Sequence, residues 1–144
     1  MQRVNVEDGT LEGVNLAVNG TLMRGLELNG NLVNAGARFV RETTTAPLYR
    51  LWSIGDRHPA MMRVNRGGAS IWLEVWAVPA PALATILLQE PPGLCIGRVT
   101  LADGESVLGV LGEVALCETG REITQYGGWR AYLANRELSN VTRS

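Results

Sequence analysis

Apolar residues fall along this chain in short runs separated by turn formers, a pattern of strands with a few short helices. Val14 to Val18, bounded by Gly13 and Gly20, suits a strand buried on both faces within a sheet. Leu26, Leu32 and Val33 are loosely helical, and Gly36 supplies a stop. Ala37 to Arg41 and Leu48 to Ile54 predict strands, the second with Tyr49, Leu51 and Ser53 on one face and Leu48, Arg50, Trp52 and Ile54 on the other. Residues 55–68 carry the Gly, Pro and Asp of a loop, broken by a short extended piece at Met61 to Val64. "SIWLEVWAV", residues 70–78, is rich in β-branched and aromatic residues and predicts a strand ended by Pro79. Pro81 opens a short helix that Pro91-Pro92-Gly93 stops. Leu94 to Leu101 and Ser106 to Leu116 predict strands joined through Asp103-Gly104, and after Glu122 the residues Ile123, Tyr126, Trp129, Arg130 and Leu133 recur at helical intervals.

This order predicts one α+β domain, with short connections pairing the strands into a curved, mixed or antiparallel sheet or small β-barrel flanked by helices. No internal repeat or linker divides it. At 144 residues the chain is long enough for one core. The boundaries expected are an N-terminal extension at 1–13, the domain at 14–134 and a C-terminal tail at 135–144.

Charge removes several classes of partner. Thirteen basic and fourteen acidic residues leave a net charge of −1 with no basic stripe, so neither nucleic acid nor a membrane surface is expected as a partner. No apolar run reaches the roughly 20 residues that cross a bilayer, and the expectation is a soluble, cytoplasmic protein. Cys95 and Cys117 stand in apolar segments without metal-ligand spacing, and the single His58 has no companions. Two buried thiols, no metal and no cofactor are expected. Trp52, Trp72, Trp76 and Trp129 suit either a core or the face of a homodimer.

Candidate chemistry gathers at "LAVNGTLMRG". Gly20 there permits backbone angles closed to other residues, and the amides of Asn19, Gly20, Thr21 and Leu22, with the Thr21 hydroxyl, are candidates to hold a small carboxylate. Arg50 and Arg63 are candidates to neutralise it. Glu74 alternates with Trp72 and Trp76, and burial among tryptophans would raise its proton affinity, as a general acid requires. His58 is the other candidate proton carrier. No GxSxG or SxxK context surrounds any serine.

These segments resemble a known family. "VNGTLMRG" resembles the YGSL or YGTLxxG loop of the γ-glutamylcyclotransferase-like fold, "HPAMM" its Tyr-Pro-Ala segment, and "WLEVWAVP" its Gly-Glu-aromatic strand. "LNGNLVNAGARFVRETTTAPLYRLW", "EVWAVPAPAL", "CIGRVTLADG" and above all "REITQYGGWRAYL" are similar to the C-terminal domain of allophanate hydrolase, here without an amidase domain. The resemblance implies a small barrel with a cavity opened at Gly20, and a role in urea or amide nitrogen metabolism on N-carboxyurea or a related ureido or γ-glutamyl compound, with an amidase partner. A non-catalytic metabolite-binding or amidase-docking protein is the alternative. In cyclotransferases the acid/base glutamate lies near the end of the helix after the Glu-aromatic strand. The same register places Pro92 there, with Glu90 two residues early, and Leu22 stands where the hydrolase domain has a histidine. If decarboxylation needs only charge placement and a proton source, His58 would supply the proton.

Overall fold

The central strand is the five-residue apolar run. In β1 (Val14–Val18) the last three residues are buried, because the strand lies between two neighbours and under other elements on both faces. The computed structural model describes residues 13–142, so all but the last residue of the expected N-terminal extension lies outside the described residues. Chain order is β1, α1 (Asn29–Asn34), β2 (Arg38–Thr44), β3 (Tyr49–Ile54), β4 (His58–Arg63), β5 (Trp72–Val78), α2 (Leu83–Leu88), β6 (Leu94–Thr100), β7 (Ser106–Gly112), α3 (Val114–Cys117), β8 (Arg121–Glu122) and α4 (Trp129–Thr142).

Five strands form one sheet in the order β2-β5-β1-β7-β6, and three form a second in the order β4-β3-β8. β1 runs antiparallel to β5, with Val18 opposite Glu74, and parallel to β7, so the larger sheet is mixed. Its two edge strands meet at one end. An isolated bridge joins Thr45 to Leu101, and the Ala102 N–H donates to the Thr44 carbonyl at 2.9 Å. No continuous ladder closes the sheet among the described residues. The core runs between the sheets through Leu16, Tyr49, Leu51, Met61, Leu73 and Ile123, capped by Trp129 of α4. Trp76 and Trp129 are buried and Trp72 is exposed.

Three sequence expectations change. The extended piece expected at Met61 to Val64 starts earlier: β4 begins at His58 and includes Pro59, which an edge strand tolerates because one side of its backbone is unpaired. The run expected as a strand over 106–116 stops at Gly112, and Val114–Cys117 is a helical turn. A Cβ on Gly112 would lie 2.7 Å from Ala60 Cβ and 3.2 Å from Cys117 Sγ, so the close packing of β4 and α3 against the end of β7 leaves room only for glycine there. Finally, α4 continues to Thr142, across residues that read as a tail. Tyr132 fixes it by donating its hydroxyl to Asp56 Oδ1 at 2.6 Å.

Candidate functional site

β1 delivers Asn19 to the end of the sheet, where the Asn19 side-chain amide donates to the Val110 carbonyl at 2.9 Å. Asn19 is thus a strut between β1 and β7 that positions the turn following it. Met23 N–H donates to the Gly20 carbonyl at 3.0 Å and Leu28 N–H to the Thr21 carbonyl at 2.9 Å. Among the described residues none of the backbone bonds of this turn begins at the N–H of Gly20, Thr21 or Leu22. Those three residues, with Asn19, His58, Pro59 and Glu90, border a hollow of about 10 Å³, space for one water or one ligand oxygen. Thr21, His58 and Glu90 also line an adjoining cleft of about 630 Å³, within the usual size of a small-molecule site.

Gly20 has a reason to be glycine other than the expected one. It is not among the glycines with positive φ. A Cβ there would fall 2.5 Å from Pro59 Cδ, so the residue is required by the close approach of β4 and not by a left-handed backbone. The Leu22 side chain is buried in the core at 2% exposure and offers only apolar surface, so what Leu22 can bring to the hollow is its backbone amide.

His58 and Glu90 bring titratable groups to this turn. His58 is buried, and its Nδ1 lies 3.1 Å from the Pro59 carbonyl oxygen. Since a carbonyl only accepts, Nδ1 carries the proton in that bond, which leaves Nε2 as the nitrogen free for another partner. Glu90 follows the C-cap of α2, Gln89, directly. Burial pushes its carboxyl up to about 7, and its buried Oε2 has no hydrogen-bond partner. A carboxyl that still holds a proton on part of its molecules at neutral pH therefore stands beside unpaired amides and an imidazole, a set able to bind an oxyanion and to deliver a proton.

The other expected site residues lie elsewhere. Glu74 is fully buried but borders neither the hollow nor the cleft. Its Oε1 accepts from the Arg24 amide at 2.9 Å and Trp76 Nε1 at 3.1 Å, and its Oε2 accepts from Arg24 Nε and Arg130 Nη2, each at 3.1 Å. Burial pushes this carboxyl up, yet the four donors outweigh burial and hold it below the ordinary glutamate value. The raised proton affinity expected of Glu74 is thereby overturned: tryptophan supplies an N–H donor as well as an apolar wall. Arg50 donates to the Gly67 and Arg66 carbonyls at 3.1 and 3.0 Å, and Arg63 to Thr100 Oγ1 at 3.5 Å. Neither borders the hollow or the cleft.

Two residues of the site were missed by sequence reasoning. The register of the resemblance puts Pro92 at the critical position and passes over Glu90, whose only signal is a carboxylate directly before a Pro-Pro stop. Arg57 lines the cleft beside His58, and nothing in "GDRHP" distinguishes it from any loop arginine. Among the described residues, no group of three or more His, Cys, Asp or Glu is placed to hold a metal ion, and no helix is long and apolar enough to cross a membrane. Cys117 is buried and Cys95 half-buried. Burial pushes both thiols up, Cys117 to about 11.

Comparison with known proteins places this geometry in context. Residues 14–134 match the model of the allophanate hydrolase C-terminal domain. Urea amidolyase of Saccharomyces cerevisiae is 32% identical over 130 residues, a match to 83% of this chain but only 7% of that protein. The crystal structure of c4763, a uropathogenic E. coli-specific protein, is 57% identical with a TM-score of 0.83, covering 84% of this chain and 95% of that one. Allophanate hydrolase of Kluyveromyces lactis is 32% identical with a TM-score of 0.81, covering 93% of this chain and 24% of that one. An AIG2-like protein of Mus musculus, at 19% identity and a TM-score of 0.55, shares the fold alone, in keeping with a γ-glutamylcyclotransferase-like architecture.

Proposed function

Because this chain belongs to the allophanate hydrolase C-terminal domain family, we propose that its Gly20 turn is a working site for a small carboxylate or carbamate of urea metabolism, with N-carboxyurea or a related ureido compound as substrate. The observation that carries this reading is the meeting of unpaired amides at Gly20 to Leu22 with the Glu90 carboxyl, whose pKa burial raises to about 7, and His58 around one small hollow. An anionic oxygen in the hollow would accept from the amides and from Glu90. Loss of carbon dioxide from N-carboxyurea leaves an electron pair on nitrogen and requires a proton there to give urea. Glu90 is the group that carries one near neutral pH, and His58 can return it from solvent. Glu90 thus takes the proton-donating role first considered for Glu74.

The chain spans a small fraction of the length of the long relatives it matches, and the reading needs an amidase activity to supply the substrate. The test is release of carbon dioxide from N-carboxyurea formed in place by an amidase. Wild type should accelerate release over the amidase alone, Glu90→Gln should lower the rate by about 100-fold, and His58→Ala by less. No acceleration by the wild type defeats the reading.

Binding without turnover is the second reading. It is favoured by Leu22, an apolar side chain where the resemblance puts a histidine, so that the turn itself offers no proton carrier. Ligand retained with no release of carbon dioxide is its signature.

A further inference from the structure

We propose that Arg57 selects a ligand with a second, anionic end, so that the cleft takes a short acid with a ureido or carbamoyl head at the Gly20 turn and a carboxylate tail on the guanidinium. The proposal rests on the head-binding reading given above and names the substrate class for the same site.

Arg57 is held by a tight hairpin. Gly55 and Asp56 both adopt positive φ, 60° and 59°, and Arg57 N–H donates to the Ile54 carbonyl at 3.1 Å. Gly55, Asp56 and Arg57 form the three-residue connection between paired strands, with Ile54 opposite His58, so β3 and β4 fix where Arg57 stands. His58 is the next residue, and both line the 630 Å³ cleft.

Among the described residues no ion pair holds the guanidinium. The adjacent acid, Asp56, accepts from Ser53 Oγ and the Tyr132 hydroxyl, each at 2.6 Å, and pairs with Arg136 Nε at 3.5 Å. Among the described residues Arg57 has no ion pair, and neither has Glu27, the other charged residue of the cleft besides Glu90. Glu90 has no ion pair with the arginine among the described residues, and burial raises its pKa to about 7, which reduces its charge at neutral pH. Leu28, Ile54, Pro91 and Leu116 line the same cleft and offer apolar surface to a methylene chain. A ligand confined to the 10 Å³ hollow would leave this wall and its cation unused, whereas an acid of a few methylenes engages both. Arginine suits the task because its planar fork binds a carboxylate through two parallel hydrogen bonds.

Calorimetric titration of the full chain with 3-ureidopropionate and with propylurea, which lacks the carboxylate, tests this. Wild type should bind the acid at least about tenfold more tightly than the neutral urea, as a charge-assisted pair implies. Arg57→Gln, at an exposed position, should remove that preference and leave propylurea unaffected. Gly20→Ala should weaken both probes, and Thr21→Val serves where the alanine variant loses its fold by circular dichroism. Equal affinity of wild type for the two probes, a preference that survives in Arg57→Gln, or no binding of either overturns the proposal. A preference that depends on Arg57 while neither turn variant weakens the probes would instead overturn the head-binding reading and seat the acid in the cleft alone.

Discussion

Burial keeps a proton on Glu90, and the sign of the resulting pH dependence is fixed. Its folded pKa of about 7 lies above the ordinary 4.5, so between those values the folded protein holds a proton that the unfolded chain has released. The stability this contributes is complete below pH 4.5 and is lost as pH rises to about 7, a change of roughly 2–3 kcal/mol. Glu90→Gln should lack the loss, so its stability relative to wild type rises across that window, as read from urea midpoints. Gly20 responds to size instead. The clash of an added methyl with Pro59 predicts that Gly20→Ala costs about 1–3 kcal/mol in the same measurement. Gly20 was legible in the sequence as a turn glycine, but its contact with Pro59 was not, because the two residues are distant in sequence and meet only when β4 crosses the end of β1.

At the scale of elements, Glu74 ties β5 to the segment after the Gly20 turn and to the start of α4. Arg24 and Arg130 converge on its Oε2, and Arg130 also donates to the Arg24 carbonyl at 2.6 Å. Glu74→Ala leaves the Trp76 indole and the Arg24 amide without their acceptor, and a loss of about 2–4 kcal/mol is expected from denaturation curves. The folded pKa of Glu74 is depressed, so its contribution is present above the ordinary pKa and is lost as pH falls through the folded value. Glu74→Gln should therefore flatten acid unfolding, and amides of residues 20–28 should exchange faster in it. The sequence marked this glutamate as unusual from its tryptophan neighbours and misjudged its direction. Alternation along β5 reports which face a side chain occupies, but not that two arginines from remote segments arrive there.

The whole molecule depends on two sheets held against each other and on the edges of the larger one meeting at Thr45. The Thr45 hydroxyl accepts from Ile71 N–H at 3.0 Å and donates to the Ala46 carbonyl at 2.7 Å, entirely buried. Thr45→Val should cost about 1–3 kcal/mol and speed hydrogen exchange at Ala46 and Ala102, the amides that bridge the edges. By itself the sequence determined most strands, the Asp103-Gly104 hairpin, the α+β class and the Gly20 turn, because each is written in contacts between near neighbours or in the alternation of a single strand. Only the tertiary structure decided which titratable groups share the site. Glu90 after α2, His58 of β4 and Gly20 after β1 meet because three elements converge, and Glu74, Arg50 and Arg63 are drawn into other partnerships by the same packing. Proton affinity and charge pairing follow from that through-space neighbourhood, which spacing along the chain does not encode.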